Sequence, residues 1–298
     1  MLDRPLSVRT RGGTRGARST AGKARRRGSR RWRFLPSART RRRWWRIFRR
    51  RSTVTKWILV LGVFAIACVA VNWIYQVARK PSELFFPVSG TLYKTPAETW
   101  RQYAPLFQQY STSVMTAELL AAIAQVEGSG NPVARTYWRW SWTRQPFEMY
   151  RPASSAVGMY QLTDGTFAEA RRFCIRHHTV VEDGPWNDWR SCWFNSLYAR
   201  VLPSDAVELT AAYLDRSVAT VLERHHVSSA TLAHKQELAT LIHLCGAGAG
   251  DEFAIRGFRL FDGQRCGDHE ARVYLGRVGA MKEEFARLAA RASGAGGY

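Results

Sequence analysis

The longest apolar run of the chain covers Trp57 to Tyr75, nineteen residues in which Asn72 is the only strongly polar side chain. At about 1.5 Å per residue, a helix of this length is roughly 28 Å long, close to the ~30 Å hydrocarbon core of a bilayer. Trp57 at one end and Trp73 and Tyr75 at the other stand where interfacial aromatic residues occur. The pattern predicts one transmembrane helix over residues 57–75.

Two other interpretations of this run are a cleaved signal peptide and a helix buried in a protein core. A signal peptide has a shorter apolar region of about 7–15 residues, followed by a small-residue cleavage site. Here the chain continues through Gln76-Val77-Ala78-Arg79-Lys80-Pro81, which is no convincing site. A core helix rarely has flanks as charged as these. We therefore expect an uncleaved signal anchor.

Apolar residues recur at three- and four-residue steps in several later segments, which is the period of a helix. The first of these helices should begin at Thr116 as N-cap and stop at Gly128 and the Gly130-Asn131-Pro132 turn. Further helices are expected near 164–176, 187–200, 205–226, 231–245 and 268–291. No alternating strand pattern of any length is present, so we predict a mainly α-helical domain over residues 113–292.

Two segments border this predicted domain. Residues 76–112 contain Pro81, Pro87, Pro96 and Pro105, so we expect a stalk or entry segment without a long helix. At the other end, the Gly-Ala-rich residues 293–298 should form a flexible tail.

The positive charge of the chain is concentrated before the apolar run. Residues 1–56 hold 21 of the 45 Lys and Arg residues and one acidic residue, Asp3, so they carry +20 of the net charge of +22. Such a segment repels itself and buries little apolar surface, which predicts a disordered tail. The basic excess predicts a cytoplasmic N-terminus and translocation of the chain from about residue 79 onward.

Aromatic residues are interspersed among these arginines, and they could stack on nucleic-acid bases or lie among the headgroups of an anionic membrane. A solvated segment next to the membrane explains the same composition, so no specific nucleic-acid partner is expected.

Four of the five cysteines follow the predicted span, and Cys68 lies within it. An even number of cysteines in an oxidising compartment predicts two disulfides, although four cysteines allow three pairings. Of these we predict the sequence-local pairs Cys174–Cys192 and Cys245–Cys266. Zinc is the alternative, but the chain has no Cys-x-x-Cys and no His at ligand spacing from a cysteine pair. We expect no metal and no cofactor.

Glu127 is the residue whose position most suggests chemistry. It closes the Thr116 helix on the same face as Ile123 and Leu120. Reduced dielectric and the negative end of the helix dipole both favour a protonated carboxyl and raise its pKa, as a general acid near neutral pH requires. A glutamate that simply reaches solvent at a helix end is the alternative.

Four motifs in the order of the chain then suggest a family. The segment Glu127-Gly128-Ser129-Gly130-Asn131-Pro132 resembles the Glu-Ser-x-x-Asn-Pro signature of the soluble lytic transglycosylase domain, a relative of goose-type lysozyme in the lysozyme-like superfamily. A second signature, Gly-Ala-x-Gly-Leu-Met-Gln, looks like residues 155–161. The third, Tyr-Asn-x-Gly-x-Gly, is matched loosely by residues 243–248, and a closing Glu-x-Arg-x-Tyr by residues 270–274. Together they cover about 116 to 280.

This resemblance implies a lysozyme-like helical fold and an enzyme that cleaves the bond between N-acetylmuramic acid and N-acetylglucosamine in peptidoglycan. Glu127 would be the single acid/base, and the product would be a 1,6-anhydromuramoyl end. The resemblance also implies a substrate-binding set, namely Ser155, Gly158, Met159, Tyr160, Gln161, His243 and Tyr274.

With the predicted span, the resemblance places the protein in the inner membrane as a single-pass protein with its catalytic domain in the periplasm. Glycan strands and the membrane are the expected partners, with other cell-wall or secretion machinery as further candidates.

The chain departs from the family at three places. The Ser after the catalytic Glu is Gly128, the Tyr-Asn pair is His243-Leu244, and about twenty residues, Arg135 to Ser154, separate the first two signatures. The departures leave two alternatives open, a catalytically silent glycan-binding or assembly module and a hydrolytic muramidase on the same fold. The insert contains an aromatic run, residues 137–142, which could be a sugar-stacking wall or core packing under a loop.

Overall fold

The computed structural model describes residues 38–185, 187–188 and 191–295, and the chain divides into two compact units between Val63 and Phe64. The described part is mainly helical, as predicted. The first helices are α1 (Ala38–Arg50), α2 (Thr53–Arg79), α3 (Phe86–Ser89), α4 (Pro96–Gln109) and α5 (Ala117–Gly128). After them come α6 (Asp164–Ala170), α7 (Pro203–Arg224), α8 (Leu232–Cys245), α9 (Ala247–Ile255) and α10 (Ala271–Ala295).

Part of the basic tail is helical. The predicted disorder covered residues 1–56; residues 1–37 lie outside the described part of the chain, but residues 38–50 form α1. Arginine and alanine have high helix propensity. The Trp45 ring also stacks on Phe48 with 5.9 Å between centroids, and the Arg49 guanidinium lies 5.4 Å from the Trp45 ring. These contacts offset the repulsion between the arginines.

Helix α2 contains the predicted span and extends it by four residues at each end. It is long and apolar enough to cross a membrane, and its apolar side chains are exposed, Ile66 for example to 72%. Ser52 caps its first turn, because its hydroxyl accepts a hydrogen bond from the Thr55 amide at 3.3 Å. The polar side chains Asn72 and Gln76 stand in its last two turns.

The prediction that residues 76–112 contain no long helix is wrong. Beyond α2 the segment forms a 3-10 turn, Pro81–Phe85, then the short α3 and the fourteen-residue α4. Pro96 is tolerated because it occupies the first turn of α4, behind the capping box of Thr95 and Glu98. Pro105 lies inside α4, where burial of aromatic side chains on the same helix outweighs one missing hydrogen bond.

Helix α5 is the centre of the domain. It begins after the predicted N-cap, Thr116, and every residue from Leu119 to Gln125 is buried, so it is surrounded by protein on all sides. Helices α4 and α10 pack directly against it, while α7, α8 and α9 pack on one another and complete the core. The core therefore fixes the position of the last residues of α5 from several directions.

The later helices were predicted with mixed success. The helices expected at 205–226, 231–245 and 268–291 are confirmed as α7, α8 and α10. The helix expected at 187–200 is wrong, since its described part contains only a 3-10 turn, Trp193–Leu197. Only the first half of 164–176 is helical, and α10 continues to Ala295 through part of the predicted flexible tail.

Three antiparallel two-stranded hairpins were not predicted. They are β1 (Trp138–Trp140) with β2 (Tyr150–Pro152), β3 (Phe173–Arg176) with β4 (Thr179–Glu182), and β5 (Arg265–Cys266) with β6 (His269–Glu270). Their strands have two to four residues, too short for an alternating pattern to stand out. Both predicted disulfides are present: Cys174–Cys192 ties β3 to the loop that follows β4, and Cys245–Cys266 ties the end of α8 to β5.

Candidate active site

Glu127 lies in the last turn of α5, at the edge of the core. Leu120 and Ile123 on the same helix face are fully buried, as predicted, while the Glu127 side chain keeps 18% of its surface exposed. The helix ends one residue later, because Ser129 adopts the left-handed conformation with φ 48°. Glu127 is therefore held by a rigid helix but remains accessible from outside.

Tyr274 of α10 donates a hydrogen bond from its hydroxyl to Glu127 Oε1. The ring is only 4% exposed. Burial raises the pKa of Tyr274 well above its usual range, and the negative charge of Glu127 and the hydrogen bond itself raise it further. The phenol consequently stays protonated and acts as a donor that fixes one carboxyl oxygen. The sequence placed Tyr274 in the site by resemblance, and the structure brings it to Glu127.

His243, near the end of α8, faces the same oxygen. Its Nε2 is 3.7 Å from Glu127 Oε1, and the side chain is 8% exposed. Burial lowers the pKa of His243, while the negative charge of Glu127 and a hydrogen bond with the backbone of Tyr160 act in the opposite direction. Burial is the largest of these effects, so the imidazole is neutral near pH 7.

The second motif reaches the site through its backbone. A Cβ on Gly128 would lie 2.8 Å from Met159 Cα and 2.9 Å from the Met159 carbonyl oxygen. The backbone of the second motif therefore contacts α5 at a point where only glycine fits. Gly158 itself has φ +83°, and a Cβ there would lie 2.4 Å from the Arg200 carbonyl oxygen. The loop thus supports the end of α5 directly behind Glu127.

The remaining side chains of the predicted substrate-binding set lie partly in the core and partly near its surface. Met159 and Tyr160 are fully buried, so their side chains belong to the core and do not line an open groove. Gln161 donates hydrogen bonds to the carbonyls of Gly158 and Ala134, at 2.8 and 3.2 Å, and so ties the second motif to the segment that follows the first.

Ser155 is engaged at the start of the next helix. Its hydroxyl accepts a hydrogen bond from the Asp164 amide at 3.1 Å. Ser155 and Gln161 are thus bonded within the fold, and their contact with a substrate stays a prediction.

A small cavity of about 230 Å³ lies beside Tyr274. It is lined by Arg265, Asp268, His269, Glu270, Val273, Tyr274 and Arg277. The sequence singled out Tyr274 and Glu270 here but not the two arginines, because Arg265 stands in the two-residue strand β5 and Arg277 on an exposed face of α10, both outside the four motifs. The cavity combines two arginines with two acidic residues, Asp268 and Glu270, and adjoins Tyr274, which holds Glu127.

Glu148 is a further carboxylate, in the insert between the first two signatures, and it is bound in ion pairs. Its two oxygens form ion pairs with Arg79 at 2.5 Å and Arg151 at 3.3 Å. The aromatic run of the insert belongs to the same hairpin and is largely exposed, so it is not core packing under a loop.

Comparisons of this chain with protein-family models, with curated proteins and with solved structures give no match. Any chemistry assigned to this chain therefore rests on the geometry of Glu127, Tyr274 and His243. No group of three or more His, Cys, Asp or Glu residues that could hold a metal occurs among the described residues.

Proposed function

We propose that this protein is a membrane-anchored lytic transglycosylase with a lysozyme-like catalytic domain, which cleaves the glycosidic bond between N-acetylmuramic acid and N-acetylglucosamine in peptidoglycan. The convergence of four sequence motifs on one carboxyl group carries this proposal. Glu127 of the first motif touches Tyr274 of the fourth and His243 of the third, and the backbone of the second motif packs directly behind it. Residues up to 147 positions apart meet at one partly exposed acid.

The proposed reaction uses Glu127 twice. Its protonated carboxyl gives a proton to the oxygen of the leaving N-acetylglucosamine while the bond from that oxygen to the muramoyl anomeric carbon breaks. The resulting carboxylate then takes the proton of the muramoyl 6-hydroxyl as this oxygen attacks the anomeric carbon. One C–O bond breaks, one forms, the acid is regenerated and a 1,6-anhydro ring results. The two-carboxylate glycosidase schemes would require a second acid.

The neighbours of Glu127 suit an acid that must change its charge during the reaction. Tyr274 donates to one oxygen, which fixes the carboxyl and stabilises the carboxylate formed after proton transfer. Burial lowers the pKa of His243, so the group 3.7 Å from the Glu127 carboxyl is a neutral imidazole and not a permanent cation.

We further propose that α2 anchors the domain in the inner membrane with the N-terminus in the cytoplasm and the catalytic domain in the periplasm. The length and apolar surface of α2 support a single span. The +20 charge of residues 1–56 supports this orientation, since positive residues are retained on the cytoplasmic side. Two disulfides beyond α2 suit an oxidising compartment.

The test is the replacement Glu127→Gln, which keeps the size of the side chain and its capacity to bond Tyr274 but cannot donate a proton to the leaving oxygen. Positioned acid–base catalysis contributes about 10²–10⁴-fold, so we expect at least that loss in the release of muropeptides from purified sacculi. Glu118→Gln, in the first turn of the same helix, is the matched control and should retain most activity.

Mass spectrometry of the released material separates the candidate functions. Anhydro-muropeptides support the proposal, reducing muropeptides would indicate a hydrolytic muramidase, and no release by the wild type would indicate a silent glycan-binding module. If Glu127→Gln kept more than about a tenth of the activity in a folded protein, the acid would have to lie elsewhere.

A further inference from the structure

The segment 137–152, here called the aromatic hairpin, consists of Tyr137, the strands β1 and β2 and the loop between them. Its aromatic side chains point outward: Tyr137 is 66% exposed, Trp140 72% and Trp142 96%. The Trp140 ring packs on Tyr150 of the opposite strand, with 5.1 Å between ring centroids, and still leaves most of its surface exposed. Exposed aromatic groups in this number mark a surface that contacts a partner.

The hairpin is fixed to the outer end of α2. Gln76 donates to the Phe147 carbonyl at 2.7 Å, and Asn72 donates to the Tyr150 carbonyl at 2.9 Å. The Tyr75 ring lies 5.3 Å from the Phe147 ring. These three residues lie in the last turns of α2, where Trp73 and Tyr75 mark the end of the predicted span. The hairpin is thereby held at the level of the membrane interface, provided that α2 crosses the membrane.

An apolar cleft of about 910 Å³ separates α2 from the hairpin. Ile66, Val69 and Trp73 line it on the helix side. Tyr137 and Trp138 close its other side. From Trp73 to Ile66 the cleft follows α2 for about 10 Å toward the middle of the span. Its walls continue the exposed apolar surface of the helix, which in a bilayer is covered by acyl chains.

The charges of the hairpin also suit lipid. Its acidic residue, Glu148, is paired with Arg79 and Arg151, while Arg139 and Arg144 are exposed. Arginine and tryptophan side by side are typical of surfaces that lie among anionic headgroups. A sugar-binding wall would combine its aromatic rings with polar groups aimed at hydroxyls, whereas this cleft is lined mainly by apolar side chains.

We propose that the aromatic hairpin is a second membrane contact, inserted in the outer interface beside α2, with acyl chains of the outer leaflet filling the cleft between them. This inference rests on the proposed anchoring by α2. It gives the domain two attachment points, so that the domain cannot rotate freely about the end of a single helix.

The experiment uses the full chain in vesicles that contain anionic phospholipids. In a Cys68→Ser background, single cysteines replace Trp142 or Trp140 and carry an environment-sensitive fluorophore; both disulfides are kept. Ile66→Cys is the reference for the span, and Ile255→Cys, an apolar side chain of α9 that is 65% exposed, is the reference for water. Quenching by nitroxide-labelled lipids is compared with quenching by aqueous iodide.

We expect the probes at 142 and 140 to shift to the blue, to be quenched by lipid nitroxides like the probe at 66, and to be shielded from iodide, with the opposite result at 255. Lipid quenching at 66 combined with water-like behaviour at 142 and 140 would overturn the hairpin inference and leave the anchoring intact. No lipid quenching at 66 would refute the anchoring itself. Shielding of 142 only after glycan strands are added would overturn the inference in favour of a sugar contact.

Discussion

Gly128 offers a test of whether the site is built as the structure shows. In the resembled signature a serine follows the glutamate, so Gly128→Ser would make the chain match that signature at this position. If the site had room for a serine at position 128, this change would leave activity unchanged or would raise it. In the structure the added Cβ meets backbone atoms of Met159 at 2.8 and 2.9 Å, and backbone cannot turn aside as a flexible side chain can.

The magnitude follows from two opposing effects. Replacing a helical glycine by another residue gains about 0.5–1 kcal/mol in the free energy of unfolding, because the unfolded chain loses freedom. Overpacking a close contact costs about 1–3 kcal/mol. The net expectation is a loss of about 1–2 kcal/mol. For a domain of this size that lowers Tm by about 2–8 °C.

The matched control is Gly276→Ser in α10, where an added Cβ meets nothing within 4 Å. Thermal unfolding of both variants, followed by near-UV circular dichroism with the disulfides intact, should show Gly276→Ser unchanged or slightly more stable. Gly128→Ser should also lose cleavage activity, because the displaced loop supports Glu127. Equal melting temperatures for the two variants would refute the close approach of the second motif to α5.

Four further predictions concern the neighbours of the site and the topology. Tyr274→Phe should keep the fold but reduce kcat about 10–100-fold with little change in KM, as expected for loss of one charge-assisted hydrogen bond; an unchanged kcat would show that the phenol does not position the acid. Tyr160→Phe removes a buried hydroxyl that bonds no described residue, so stability and activity should both be retained, whereas a sugar-contacting Tyr160 would lose activity.

Burial lowers the pKa of His243 from 6.5, so the unfolded chain binds a proton before the folded one does. The unfolding free energy should therefore fall as the pH drops below about 6.5, and His243→Gln should make this fall less steep; equal slopes in the two proteins would contradict a neutral buried imidazole. Finally, a reporter active only in the cytoplasm should give no signal when fused to the C-terminus, and a strong signal would overturn the proposed orientation.

The helices that were predicted correctly contain their own start, period and stop signals in the sequence. Helix α5 has an N-cap threonine, a regular apolar period and a Gly-Asn-Pro stop, and all three are local features. Helix α9 has none of these, since it begins with Gly and Ala residues of mixed propensity. It forms because Gly250 lets it approach α8 so closely that a Cβ would lie 2.6 Å from an Ile242 side-chain carbon. Such a contact between two helices has no signal in the sequence of either.

The segment 187–200 was misread for a related reason. Its composition permits a helix, but two tertiary links hold it in another shape. Cys192 is joined to Cys174 of β3, and the Asn195 side chain donates to the Phe173 carbonyl of the same strand at 2.6 Å. Periodicity reports the burial of one face of an element. It cannot report that a disulfide and a side-chain hydrogen bond tie a loop to a neighbouring strand.

The departure at His243-Leu244 is best understood from helix geometry. Consecutive residues of a helix point about 100° apart, so only one member of this pair can face Glu127. That member is His243, a polar side chain with its ring nitrogen 3.7 Å from the carboxyl oxygen, while Leu244 packs against the hydrophobic core. Because the side chain at position 244 does not face Glu127, a leucine there does not deprive the Glu127 carboxyl of a polar neighbour. What the pair supplies beside Glu127 is a buried neutral imidazole, and the proposed single acid/base requires no polar group from position 244.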